Sequence, residues 1–343
     1  MKIAILSTNI EQVPPVGYGG TELIVHLLTE SLVEKGHDVT LFAPATSITK
    51  ARHVACVNKP LRLDDTIPMR RWQAYDIITM QTLAKMQNEF DIIHNHMGYQ
   101  ALPFLNYFKT KVVSTLHNPI RDYCAPIYFY YGNLPYVAIS NSYKEKNYPE
   151  KLNYVDVIYN GIDINLFPLK TNLNPQYFLF IGRICQDKGT AIAINIARKL
   201  NIPLKIAGKV DVSDLEYFNT LVKPYLNSTI EYIGEVNHAE KIALYNNAIA
   251  VLYPIAFAEP FGLVMVESLA TGTPVLAFNQ GSVSEILEDG ITGIVANTEA
   301  QIIEKFPLLE KINKDTLRRR VIDKFTKEKM IDNYLKLYFK LLN

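Results

Sequence analysis

The chain has 343 residues, 48% hydrophobic and 20% charged, an ordinary globular composition in a length that one core seldom sustains, so two domains are expected. Its 35 Lys and Arg balance 34 Asp and Glu to a formal charge of +1, so nothing points to a polyanion, and no nucleic-acid partner is expected. Three cysteines, Cys56, Cys124 and Cys185, form no Cys-x-x-Cys, which argues against a disulfide framework and a cysteine zinc site and fits a reducing cytoplasm.

The opening "MKIAILSTNI" is apolar but too short for a signal-peptide core, and no run reaches the ~18 apolar residues of a membrane span. A soluble cytoplasmic chain is expected, with at most a weak peripheral contact at the inner face of a membrane. The basic clusters "MRRW" at 69–72 and "FKTK" at 108–111 suit anionic lipid or, more simply, water.

In chain order, "KIAILS" reads as a buried strand, followed by the Gly-rich turn "PPVGYGGTE" at 14–22. A helix follows in "TELIVHLLTESLVEKG", where Leu23, Leu27, Leu28 and Leu32 recur at helical spacing until Gly36 stops it, and "DVTLFA" is the next strand. The β-rich runs "FDIIH" at 90–94, "KVVST" at 111–115 and "YVAIS" at 136–140 continue the alternation, and "VDVIYNGID" closes the first half. The second half restarts with strand "YFLFIG" at 177–182, then helix "TAIAINIARKL", strand "PLKIAG", a helix around 213–223, and strand "IEYIG". Helix "HAEKIALYNNA", strand "AVLYP", helix "GLVMVESLATG" and strand "PVLAF" complete it.

Short apolar strands alternating with helices predict parallel sheets covered on both faces, hence two doubly wound α/β domains facing each other across a cleft. The polar stretch "FPLKTNLNPQ" at 167–176 places the division between 1–166 and 167–325. The last helix, from 326 to 343, carries Met330, Tyr334, Leu337 and Leu341 on one face and needs a partner surface, which either domain can supply.

Motifs at strand ends carry the chemistry. Gly17, Gly19 and Gly20 allow close backbone approach to a ligand at a helix start, which suits an anion, though a tight structural turn reads equally well. The Gly-x-Gly-x-x-Gly spacing and an acid after the second strand are lacking, so a dinucleotide site is not expected. In "FIGRICQDKG", Arg183 offers a planar fork of donors and Lys188 a compact charge, together suited to a diphosphate.

In "EPFGLVMVE", two acids eight positions apart would lie roughly 12 Å apart on a continuous helix, too far for an acid–base dyad. Pro260 and Gly262 instead put Glu259 in a loop and Glu267 inside a helix whose first N–H groups, at Gly262, Leu263 and Val264, are unpaired. His117 follows an apolar strand and can hydrogen-bond a ligand, although a lone histidine is more often structural. His94 and His96 share a strand face, but only Asp91 lies near as a further ligand, so packing and turn roles are favoured over a metal site. Packing is likewise favoured over sugar stacking for the tyrosines of "YCAPIYFYYGNLPY".

Together "GYGGTE", "TLHN", "YNGID", "GRICQDKG" and "EPFGLVMVESLATGTPVLAF" closely resemble family-4 retaining glycosyltransferases of GT-B fold over nearly the whole chain. The GGTE form of the first loop is similar to the subgroup that includes transferases acting on antibiotic and surface oligosaccharides. The resemblance implies a nucleotide-sugar donor and a glycan, lipid-linked or small-molecule acceptor, with no cofactor and no catalytic metal required. It implies that Arg183 and Lys188 hold the diphosphate, Glu267 the ribose hydroxyls, and Glu259 hydroxyls of the transferred sugar. The N–H groups of Gly262, Leu263 and Val264 would bind sugar and phosphate, with Gly19 and Gly20 on the phosphate side and His117 beside the sugar. It also implies that the last helix crosses back to the first domain. A nucleotide-sugar-binding protein without turnover, or a GT-B isomerase or phosphorylase, is the alternative. No lysine setting for pyridoxal phosphate is evident, and the epimerases lack this pairing of glutamates.

Overall fold

Most of the strands are apolar runs buried on both faces, as expected where helices cover a parallel sheet. In chain order they are β1 Lys2–Leu6, β2 Asp38–Phe42, β3 Arg52–Val54, β4 Ile92–Asn95, β5 Lys111–Leu116, β6 Tyr136–Ala138 and β7 Tyr154–Val157. There follow β8 Tyr177–Ile181, β9 Leu204–Ala207, β10 Ile230–Gly234, β11 Ala248–Tyr253, β12 Val275–Phe278 and β13 Gly293–Ala296. The computed structural model describes residues 1–17, 19–169 and 174–343. Within these the chain divides into a first unit, Met1–Gly161 with Lys327–Asn343, and a second, Ile162–Thr326.

The first unit is built on a seven-stranded sheet ordered β3-β2-β1-β4-β5-β6-β7, and the second on a six-stranded sheet ordered β10-β9-β8-β11-β12-β13. Every pairing in both sheets is parallel. In each, the strand order reverses beside the first strand of the unit, at β1/β4 and β8/β11, which is where such Rossmann-like sheets bind ligands beyond the strands' carboxyl ends.

The first core gathers Leu6, Phe42, Met80, Leu83, Ile93 and Leu102 around buried tyrosines. Tyr128 packs edge-on against Tyr136 with ring centroids 6.1 Å apart, and Tyr136 packs against Tyr154 at 6.3 Å. Of the tyrosine-rich stretch, Tyr128 and Tyr136 are thus core residues, while Tyr123 and Tyr130 stand 78% and 77% exposed. The helix Lys327–Leu342 packs within this unit, burying Met330, Ile331, Tyr334, Leu337 and Tyr338. Leu341, on the face expected to be buried, is only half-buried, and Ile331 and Tyr338 widen the stripe instead.

The second unit closes on itself at its ends. Ile162 forms a bridge with Thr326, and its N–H donates to the Phe325 carbonyl at 2.9 Å. Arg318, on the helix Lys314–Lys324, donates to the carbonyls of Phe167 and Ala270 at 2.5 and 2.6 Å. These contacts tie 162–167 to the second unit, so the division falls after Gly161, ahead of the 166/167 position read from composition. The polar stretch expected at that position includes residues 170–173, which lie outside the described residues. The helix expected around 213–223 is irregular: one α-turn at Leu215–Tyr217 runs into a π-turn at Phe218–Val222 and then a 3-10 turn at Lys223–Tyr225 with Pro224 in its first turn.

Candidate functional site

The loop after β11 delivers the two glutamates. Gly262, at φ +84°, caps the helix Leu263–Ala270, and a Cβ there would lie 2.7 Å from Met265 Cε and 2.8 Å from the Tyr253 hydroxyl. Only glycine fits both that backbone and that space. No side chain caps this helix, and the N–H groups of Leu263 and Val264, in its first turn, have no carbonyl of the same helix to donate to. Glu259 sits in the loop and Glu267 within the helix, where it is buried.

A second turn braces the loop. The Ser282 N–H donates to the Glu259 carbonyl at 3.1 Å and its hydroxyl to the Phe261 carbonyl at 2.6 Å. Gly281, at φ +62°, passes so close that a Cβ would lie 2.3 Å from the Glu259 carbonyl oxygen. Sequence reasoning passes over these two residues, for which the signal is a Gly-Ser pair just beyond the strand "PVLAF".

Lys188 Nζ lies 2.5 Å from Glu259 Oε2, with side chains 18% and 13% exposed, and its ammonium sits 4.9 Å from the Phe257 ring centroid. Charges this far from water need partners, and here each is the other's. The Arg183 guanidinium, beyond the end of β8, instead leans toward Asp211 and Asp214 at 3.7 and 3.9 Å. The structure therefore pairs Lys188 with Glu259, a contact that the motif spacing does not predict.

Glu267 is held from one neighbouring helix. Lys241 and Tyr245 stand four residues apart on His238–Asn247 and so share a face. Lys241 Nζ reaches Glu267 Oε1 at 2.7 Å, and the Tyr245 hydroxyl donates to Oε2 at 2.9 Å. Burial, then the carboxylate beside it, push the Tyr245 phenol well above its usual range, so it stays a donor. Sequence reasoning missed both residues. Their signal, a Lys and a Tyr at i, i+4 in a helix of mixed polar and apolar residues, is common on solvated faces.

In the first unit, Gly19 precedes and Gly20 opens the helix Gly20–Glu34. Gly19 is extended, at φ 168°, and is required by space rather than by backbone angle: a Cβ would meet Pro15 at 2.6 Å. Glu22, in the first turn, accepts from the Thr8 hydroxyl at 2.6 Å and faces the same loop.

His117, just beyond β5, is one end of a row of three histidines. Its Nε2 lies 2.8 Å from His96 Nδ1, the two rings stacked 5.1 Å apart. His94, with its ring centroid 4.0 Å from that of His96, places Nδ1 2.6 Å from the Tyr338 hydroxyl and Nε2 2.8 Å from Thr115 Oγ1. Burial pushes His94 down to about 3, helped by His117, and pushes His117 to about 4. His96 lies well below the usual histidine range for the same reason. All three are therefore neutral imidazoles near pH 7. Among the described residues no group of three or more His, Cys, Asp or Glu is placed to hold a metal ion.

Residues 162–329 match the family described as Glycosyl transferases group 1, and residues 18–166 that described as Glycosyltransferase Family 4. An uncharacterized glycosyltransferase of Methanocaldococcus jannaschii is 26% identical over 86% of this chain and 84% of its own length. Two solved structures share the fold. The avilamycin-biosynthesis glycosyltransferase AviGT4 superposes with a TM-score of 0.74 at 22% identity, over 99% of this chain and 98% of that one. Anabaena HepE in complex with UDP-glucose does so with 0.76 at 17% identity, over 99% and 100%. Two Rossmann-like sheets with these matches make the protein a glycosyltransferase of GT-B fold. More particularly, it belongs to the family-4, group-1 glycosyltransferases, whose two domain families between them cover nearly all of the chain. No helix among the described residues is long and apolar enough to cross a membrane.

Proposed function

We propose that the protein moves a hexose-type sugar from a nucleoside diphosphate sugar to a hydroxyl of a glycan, lipid-linked or small-molecule acceptor, retaining the configuration at the anomeric carbon. The observation that carries this reading is the Lys188–Glu259 pair beside the uncapped start of Leu263–Ala270. A cation, a carboxylate and free N–H groups at one loop suit a ligand that is anionic at one end and hydroxylated at the other. HepE, of the same fold, is seen with UDP-glucose, which supports a donor of this class.

In the proposed reaction the bond from the anomeric carbon to the diphosphate oxygen breaks, and a bond to the acceptor oxygen forms on the same face. The acceptor's proton passes to the departing phosphate. Charge separates between an oxocarbenium-like sugar and the diphosphate, so Arg183, Lys188 and the N–H groups of Gly262, Leu263 and Val264 act where negative charge grows. An arriving diphosphate competes with Glu259 for Lys188, and the released Glu259 accepts from hydroxyls of the sugar. Glu267 takes the ribose hydroxyls, Gly19 and Gly20 line the phosphate side, and His117 sits beside the sugar. No carboxylate nucleophile, metal or cofactor is required in this scheme. A cytoplasmic enzyme with only peripheral membrane contact fits it, as does membership of the GGTE subgroup.

The test is to screen nucleotide sugars for thermal stabilisation and then follow transfer or hydrolysis of the one that binds, reading the product's anomeric configuration by NMR. Turnover with retention is expected. A stabilising nucleotide sugar that is never turned over would make the protein a binder, inversion would remove the same-face mechanism, and full turnover by Arg183→Ala would unseat the diphosphate assignment.

A further inference from the structure

The Glu267 carboxylate is only 5% exposed, yet both of its oxygens are addressed by one face of the helix His238–Asn247. Each carboxylate oxygen has two lone pairs. Lys241 occupies one on Oε1 and Tyr245 one on Oε2, which leaves acceptor capacity on each oxygen of the planar group. Two parallel acceptors at that spacing match two hydroxyls on adjacent carbons. They do so only while the group is ionised, because a protonated carboxyl turns one acceptor into a donor. A buried carboxylate without a cation takes up a proton or turns toward water. The cation is itself constrained, since Lys241 Nζ lies 5.5 Å from the Phe167 ring centroid and its side chain is 22% exposed.

We propose that Lys241 and Tyr245 are positioning residues that make Glu267 a clamp for a vicinal diol, and that through them the site distinguishes a ribonucleotide from its 2′-deoxy counterpart. The inference rests on the assignment of Glu267 to the ribose. Lys241 sets the charge and Tyr245 the orientation, and the diol is read by the carboxylate they hold.

The test measures dissociation constants of the full chain for UDP, ADP and GDP and for dUDP, dADP and dGDP. In the wild type, the ribonucleotide that binds is expected to do so about tenfold more tightly than its 2′-deoxy form, as for loss of one hydrogen bond to a charged group. Lys241→Met is expected to shrink that ratio to about twofold, Lys241→Arg to restore most of it, and Tyr245→Phe to leave an intermediate ratio. Should Lys241→Met not fold, Tyr245→Phe and Lys241→Gln make the same comparison. If Lys241→Met weakens both forms equally and keeps the ratio, Lys241 acts on the phosphates or the fold and the proposal is wrong. A wild type that binds ribose and deoxyribose forms alike removes the Glu267–ribose assignment and this inference with it. Binding of none of the six nucleotides overturns the donor reading itself.

Discussion

At the ends of β4 and β5 in the first unit the titratable groups are neutral and desolvated, with His94, His96 and His117 bonded to hydroxyls and imidazoles. At the corresponding ends of the second unit they are charged and paired, Lys188 with Glu259 and Lys241 with Glu267. Two sheets of the same strand order thus present opposite electrical surroundings. The difference lies in the loop residues after each strand. "HNH" puts one imidazole within the last residues of β4 and one just beyond it, and "TLHN" puts one beyond β5, whereas "CQDKG" and "AFAEPFG" put an ammonium and a carboxylate beyond β8 and β11. Neutral donors and acceptors suit uncharged hydroxyls, and fixed charges suit a diphosphate. The same contrast holds between helix starts of the second unit. The N–H of Ala191, at the start of Thr190–Leu200, donates to the Tyr217 hydroxyl at 2.9 Å, while the start of Leu263–Ala270 has no side-chain cap.

The largest effect that would break this contrast is at Lys188. If its charge meets the leaving diphosphate, Lys188→Ala lowers kcat by about 10²–10³-fold, the scale of a lost oxyanion donor. Glu259→Gln is expected to lower it less, because the amide still accepts from a hydroxyl. Steady-state rates with the accepted donor check both. Equal and small losses would mean that the pair is only a structural ion pair.

His117 sharpens it from the other side. If His117 meets the sugar as a neutral group, His117→Ala should cost kcat about tenfold or less, the worth of one neutral hydrogen bond, and leave the affinity for the free nucleoside diphosphate within about twofold. His96, bonded to His117 Nε2, should show the same split more weakly in His96→Gln. A fall in nucleotide affinity as large as the fall in kcat would place His117 on the charged part of the donor and end the contrast.

Much of this arrangement is legible in the sequence, and the gaps have physical causes. Strands such as "YFLFI", and "KIAIL" after its exposed first residue, declare themselves because both faces are buried and the buried residues must be apolar. Arg52–Val54 and Gly293–Ala296 do not, since each is an edge strand paired on one side, three or four residues long, with no sustained apolar run. Pro260 and Gly262 announce where the helix after β11 begins, so the separate settings of Glu259 and Glu267 can be read directly. Their partners cannot. Lys241 and Tyr245 meet Glu267 only because the helices His238–Asn247 and Leu263–Ala270 flank the same strand, a relation that spacing along the chain does not encode. The histidine row is similar: "HNH" is visible, but its partners Tyr334 and Tyr338 come from the far end of the chain.

The last expected effect is on stability rather than on rate, and it tests the neutral side of the contrast directly. Burial holds His94 near 3 and His117 near 4, against an unfolded value of about 6.5. Between those values the unfolded chain binds protons that the folded chain does not, so acid favours unfolding. Stability due to these groups is intact above about pH 6.5 and falls as pH drops toward 4, by about 1.4 kcal/mol per pH unit for each histidine. Tyr334 and Tyr338, which face His94 or its partner Thr115, are raised by burial and stay neutral throughout, so they do not offset the loss. Asp76, raised by burial and bonded to Asn9, pulls the other way in the carboxylate range, which makes a comparison with a variant necessary. His94→Gln keeps a donor and an acceptor but cannot titrate, so chemical unfolding of wild type and variant from pH 7.5 to 4.5 should show a shallower slope for the variant. Parallel slopes would mean that His94 is protonated in the folded chain, and the first sheet's strand ends would then carry charge as the second's do.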